Sequence, residues 1–177
     1  MSLWIFLTYS FVGFLLEVVY ARLTHSAKPD RKCLLVLPLC PVYGLAALGI
    51  VALPSFVKEH IPLLFLAGGG VAVAAEYAVG FFTRHALGVD FWDYSQVKGN
   101  LHGLVCPRFA LYWGLLAVAG LRWLHPLLLP TLERLPGWLG AAAAAALAVD
   151  FIASNLLLRR RRDAACLRWY DALLQPF

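Results

Sequence analysis

Phe91-Trp92-Asp93-Tyr94-Ser95-Gln96, continuing through Asn100-Leu101-His102-Gly103 into Val105-Cys106-Pro107, is the longest polar run between two hydrophobic blocks of the chain. Its reading decides the fold. Taken as a membrane-surface loop feeding the start of a helix, it makes the apolar blocks on either side membrane spans. Trp and Tyr normally gather at the membrane–water boundary, so an interfacial belt accounts for its aromatics. It is nonetheless unusually rich in hydrogen-bonding groups for a plain connector.

Composition supports the membrane reading. Of 177 residues, 62% are hydrophobic and 14% charged, where an ordinary soluble domain has about 45–50% and about 25%. The net charge of +5 does not point to nucleic acid, because the basic residues sit at the ends of apolar blocks and there set topology. Four cysteines without regular spacing give no disulfide framework. The first block carries Glu17 and no Ala-x-Ala-like site follows it, so a cleavable signal peptide is not expected. Richness in Ala, Leu and Arg with a single Met suggests a bacterial chain from GC-rich DNA, and hence an inner membrane.

The expected fold is an all-α polytopic bundle. Crossing the hydrocarbon core takes about 20 helical residues. Five blocks are long enough, near Leu3–Ala21, Leu34–Val57, Ile61–Phe82, Gly103–Trp123 and Trp138–Leu158. Residues 1–158 then form one transmembrane domain and 159–177 a basic cytoplasmic tail. The run Leu124–Gly137 holds three prolines and reads as a short, half-embedded connector. In the tail Leu167, Tyr170 and Leu174 share one helical face, as in a helix lying on the membrane surface. One side of the bundle carries Arg22, Lys28, Arg31, Lys32, Arg84, Lys98, Arg159, Arg160, Arg161, Arg162 and Arg168, the other Lys58, Arg122 and Arg134. The positive-inside rule therefore puts the N-terminus outside and the C-terminus in the cytoplasm.

Glu17, Glu76 and Asp150 each interrupt an apolar block. Such residues usually face a bundle interior and mark a site or a pairing. Glu17 follows Leu3 by 14 residues, Glu76 follows Pro62 by 14, and Asp150 follows Trp138 by 12. At about 1.5 Å per residue all three lie in the inner half of the bilayer. Small or polar residues share their faces: Ser10, Gly13 and Tyr20 with Glu17; Gly69, Ala72, Gly80 and Thr83 with Glu76; Ala143, Ala146 and Ser154 with Asp150. Pairing with Arg108 or with neighbouring hydroxyls, purely to hold the bundle, is the structural alternative. Three acids at one depth favour a site.

The segment Cys40-Pro41-Val42-Tyr43-Gly44-Leu45 resembles Cys106-Pro107-Arg108-Phe109-Ala110-Leu111, and Glu17 with Thr24 parallels Glu76 with Thr83. Residues 3–57 and 61–123 thus read as a duplicated helical hairpin, with a fifth helix at 138–158 and a site at the repeat interface. Proline is favoured at the first helical position, so Pro41 and Pro107 are expected to start helices below the membrane surface. Two helix N-termini, with Arg108, would then give one cavity anion-attracting as well as acidic groups. The plain alternative is two kinked helices. Cys40 and Cys106 at those N-termini could be reactive thiols or small packing residues. Cys40, Cys106, His102 and a glutamate lack the usual zinc-ligand spacing, so no metal is expected. Gly68-Gly69-Gly70 lacks the Lys-Ser/Thr of a phosphate loop, so no nucleotide or other cofactor is expected.

The residues also resemble a known family, the putative ABC-transporter permeases of CmpB type, type IV. The resemblance rests on Tyr9-Ser10, Gly13 and Glu17; on Arg31 and Pro38-x-Cys40-Pro41-x-Tyr43-Gly44; and on Glu76, Trp92-Asp93-Tyr94-Ser95 and Asn100-Leu101-x-Gly103. Cys106, Trp113-Gly114 and Asp150-Phe151-Ile152 with Ser154 complete it, over roughly residues 3–158. The chain departs from the family at His102-Gly103-Leu104, where Asn-Gly-Arg is usual, and at Val36-Leu37, where Asn-Gly is usual. The resemblance implies transport, with any ATPase supplied by another chain and a homodimer compatible with the small helix count.

The resulting expectation is a membrane protein that binds a small or lipid-linked solute in an inward-facing polar cavity. Glu17 and Glu76 are its buried acids. Arg108 and the Cys40 and Cys106 helix starts hold an anionic group. Asp93, Tyr94, Ser95 and Asn100 cover it from the cytoplasm, and Tyr43, Trp92, His102 and Asp150 complete the candidate set. The alternatives are a membrane enzyme acting on lipid, with Glu17 or Glu76 as base and Cys106 as nucleophile, and a structural or regulatory subunit.

Overall fold

The computed structural model describes residues 1–25 and 32–168. Lys28, Arg31, Tyr170 and Leu174 lie outside them. Described residues are all helix, turn or loop, apart from one isolated antiparallel bridge between Leu101 and Val105.

Helix α1 is Ser2–Leu23, α2 Pro41–Val51, α3 Ser55–Glu59 and α4 Ile61–Phe82. Helix α5 is Pro107–Ala119, α6 His125–Glu133 and α7 Gly137–Arg161. A π-helical turn, Thr83–Leu87, extends α4, and a second, Gly120–Leu124, joins α5 to α6. Among the described residues, four helical stretches are long and apolar enough to cross a membrane: Ser2–Leu23, Ile61–Leu87, Pro107–Glu133 and Gly137–Arg161.

Two expectations are corrected. The block Leu34–Val57 is not a full-length helix, since only the 11 residues Pro41–Val51 are helical before α3. Pro38 and Pro41 explain the late start. Each lacks the amide a helix needs, and each disfavours helical backbone in the residue before it. Cys40 accordingly has extended geometry, φ −114° and ψ 94°. In the second correction, the run Leu124–Gly137 is not a short connector over most of its length, because the third long helical stretch, Pro107–Glu133, continues through it to Glu133. The ring of Pro126 opposes the Arg122 carbonyl four residues back. A π turn just ahead of it is the usual accommodation for such a residue.

Helix α2 packs on α1 and on α4, and α4 packs on α5. Successive helices run in opposite directions: Gly44 meets Ser10 and Phe6, Gly49 meets Val71, and Gly68 meets Ala117. The main buried cluster joins α2, α4 and α5 through Val42, Ile50, Leu64, Ala72, Trp113 and Ala117. Many large apolar side chains point outward instead, Leu66, Leu127 and Val149 among them. Their surroundings are lipid, as apolar as a core, so hydrophobicity does not sort inside from outside here. Helix α7 lies along the assembly with its start beside α1, Gly140 facing Trp4, and its end against Leu87 and Phe91.

Candidate functional site

The stretch 34–40 is apolar in sequence yet non-helical, and its amides need partners. Asp150 supplies three of them. Leu35 N–H donates to Asp150 Oδ1 at 3.1 Å and Leu37 N–H to Oδ2 at 2.6 Å. Val36 N–H reaches both oxygens at 3.1 Å. The Ser154 hydroxyl accepts from Leu35 N–H at 2.8 Å and donates to Asp150 Oδ1 at 3.1 Å. One residue before Pro41, Cys40 N–H donates to the Ser10 carbonyl at 2.9 Å. Irregular backbone at membrane depth is tolerated where protein groups satisfy it, and α7 does that here.

Glu76, only 5% exposed on α4, accepts hydrogen bonds from Tyr94 OH at 3.0 Å and Trp113 Nε1 at 2.9 Å. Glu17 on α1 accepts from Tyr43 OH at 2.9 Å. The Tyr43 and Trp113 rings lie 4.8 Å apart and link the two groups. Both carboxylates line one pocket of about 450 Å³ with Tyr20, Tyr43, Tyr94, Phe109, Tyr112 and Trp113, edged by Leu16, Leu115 and Leu116. Tyr94 stacks on Phe109 at 4.7 Å, and Phe109 meets Tyr112 edge-on at 5.5 Å. Among the described residues lining it, the charged side chains are the two glutamates. Tyr43 stands where it does because Gly13 makes room: a Cβ there would overlap its ring.

The Trp92–Asn100 run divides its labour. Tyr94 points inward to Glu76, while its neighbours build the loop. Asp93 Oδ1 accepts from Ser95 N–H at 2.8 Å and Oδ2 from the Ser95 hydroxyl at 3.0 Å. These bonds, with a smaller contribution from Arg84, hold the Asp93 carboxyl below its ordinary pKa. Asn100 Nδ2 donates to the Ser95 and Val97 carbonyls, and its Oδ1 accepts from Gly103 N–H at 2.8 Å. Gly103 has φ +69°, in the left-handed region, and its carbonyl accepts Tyr94 N–H at 2.8 Å. Trp92 Nε1 donates to the Leu104 carbonyl at 2.8 Å, and Arg84 ties Asp90 to the His102 carbonyl. The His102 ring meets Tyr77 OH at 2.9 Å. What reads as a polar cover is mostly a brace that aims one tyrosine.

Of the residues expected at the site, Glu17, Tyr43, Glu76 and Tyr94 come together on the pocket. Trp92, Asp93, Ser95, Asn100, His102, Cys40, Cys106, Arg108 and Asp150 are not among its lining. Cys40 and Cys106 are buried residues capping α2 and α5, and the Cys40 sulfur lies 3.6 Å from that of Cys33. Arg108 is exposed, with Nε reaching Tyr112 OH at 3.4 Å. Tyr20, Phe109, Tyr112 and Trp113 line the pocket without having been singled out for it. Their signal is aromatic side chains at helical spacing on faces flanking the acids, which ordinary core packing shares.

These helices and this acid-and-aromatic pocket define a multi-pass membrane protein with polar groups held inside its bundle. The chain belongs to the putative ABC-transporter type IV family of CmpB type, whose family model matches residues 4–157. No curated protein and no solved structure matches it.

Proposed function

We propose that this chain is the membrane-embedded component of a transporter and binds a small or lipid-linked solute in the Glu17–Glu76 pocket. The observation that carries the reading is the meeting of two intramembrane acids, from α1 and α4, on one aromatic-lined hollow. Acids inside membrane helices are costly and typically mark solute or proton pathways. The volume of about 450 Å³ falls in the range of small-molecule sites, about 300–1,000 Å³. Family membership supports transport, and in this reading ATP hydrolysis falls to a separate ATPase subunit. A homodimer would enlarge the small bundle. Glu17 and Glu76 contact the solute or carry protons, and Tyr43, Tyr94 and Trp113 orient them.

The pocket opens towards the cytoplasm, with the N-terminus outside, because the Arg-rich connections lie at the end of the bundle that holds both glutamates. In this reading residues 32–51 complete the second of five crossings, as extended chain followed by a half-helix. Cys40-Pro41 and Cys106-Pro107 then start equivalent helices of a duplicated hairpin. Identifying by mass spectrometry what co-purifies with the protein tests the solute assignment. The wild type should carry a compound that Glu76→Gln loses while remaining folded; identical bound compounds in both would overturn it.

A further inference from the structure

The unwound stretch has a cysteine at each end. Cys33 precedes it in non-helical chain, and Cys40 closes it as the N-cap of α2, with extended geometry. Between them the chain bends back, its middle amides held on α7 by Asp150 and Ser154. That bend brings the two sulfurs to 3.6 Å. Both are thiols rather than disulfide sulfurs; Cys40 is only 3% exposed, whereas Cys33 is half-buried. Burial by itself suits a packing role for a cysteine. Packing does not require that a reachable thiol and a hidden one meet across the two ends of a loop that no helix stiffens.

From this arrangement we propose that Cys33 and Cys40 are a redox-active dithiol, whose oxidation to a disulfide ties together the ends of the unwound stretch where α2 begins. A disulfide holds its sulfurs about 2.05 Å apart, so the pair must close by about 1.5 Å. Neither residue lies in a helix, so side-chain rotation and a small shift of irregular chain supply that closure. The oxidant is a small disulfide. The Cys33 thiolate attacks one of its sulfurs, forming a mixed disulfide and expelling the first thiolate. The Cys40 thiolate then attacks Cys33 Sγ, forms the internal bond and expels the second. The protein pair gives up two electrons and two protons, and the oxidant ends as two thiols. In the proposed orientation the pair lies towards the cytoplasm, where thiols are kept reduced and the disulfides that do form are transient and redox-sensing. Tyr43, the partner of Glu17, lies three residues beyond Cys40, so the tie sits at the base of the turn that carries it. The proposal does not depend on the solute-binding reading.

The test treats the reduced, full-length protein in neutral maltoside micelles with dithiodipyridine and maps the product by peptide mass spectrometry. The wild type should release two thiopyridones from this pair, keep no pyridyl adduct on either residue, and yield a linked Cys33–Cys40 peptide lighter by two hydrogens. In Cys33→Ser, Cys40 should react at least about tenfold more slowly than Cys33 does in the wild type. In Cys40→Ala, the pyridyl adduct should persist on Cys33. Oxidation should raise the thermal denaturation midpoint of the wild type by about 3 °C or more and leave that of Cys33→Ser in place. An unreactive Cys33, or a lasting adduct on Cys33 of the wild type, overturns the pair. So does a link from Cys33 to Cys166, which packs against the same apolar cluster. A Cys33–Cys40 disulfide that leaves the midpoint unchanged overturns the tie.

Discussion

Composition alone does not separate two readings of Asp150, a site residue and a partner for backbone amides. A carboxylate inside an apolar helix reads as a site residue, yet both its oxygens accept amides from Leu35, Val36 and Leu37. These bonds are part-buried, and losing an acceptor there costs up to about 1–3 kcal/mol, with Leu35 N–H still held by Ser154. Asp150→Asn keeps the shape but offers one acceptor oxygen and turns an NH₂ towards amides that also donate. It should destabilise the protein by roughly 2–4 kcal/mol, seen as a lower denaturation midpoint in detergent. Glu17→Gln removes charge from a half-buried group holding Tyr43 and should shift that midpoint far less. Equal shifts in the two variants would contradict this division.

At the level of the element, α2 owes its place to what precedes it. Prolines 38 and 41 deny the apolar stretch its own helical bonds, so the helix begins below its neighbours and leaves Tyr43 in its first turn at the height of Glu17. Gly13 admits that ring. Gly13→Ala would drive a methyl into Tyr43, displacing its hydroxyl from Glu17 and its ring from Trp113. The expected outcome is altered Trp113 fluorescence and, for whatever compound co-purifies, weaker retention by about tenfold, with the helix content by circular dichroism unchanged. Helix loss would show instead that Gly13 only holds α1 on α2. The π turn before Pro126 shows the same economy, since a small register shift carries the helix past a residue that would otherwise end it.

For the molecule as a whole, the alternating helix directions place the Trp92–Asn100 loop and the start of α2 at the end where α1 and α4 finish. The proposed orientation makes this the cytoplasmic end. In a cysteine-free background, Gln96→Cys should react with a membrane-impermeant maleimide only after lysis, and Glu59→Cys in intact cells. The reverse pattern would invert the bundle and move the pocket to the outer half.

Hydropathy and charge act locally, so residue order alone established a helical membrane protein, located most of its helices, and put Glu17 and Glu76 on them. It did not reveal that Leu34–Cys40 is unwound, because apolar side chains say nothing about where backbone amides find partners. Here the partner comes from up to 119 positions away. Nor did it single out Tyr20, Phe109, Tyr112 and Trp113 as pocket walls, since an aromatic facing a cavity and one facing lipid share the same spacing. Those choices were made by the packing of α1, α4 and α5 around the short α2. A helix that begins late leaves room beside it, and only the folded chain shows which side chains fill that room and which merely border it.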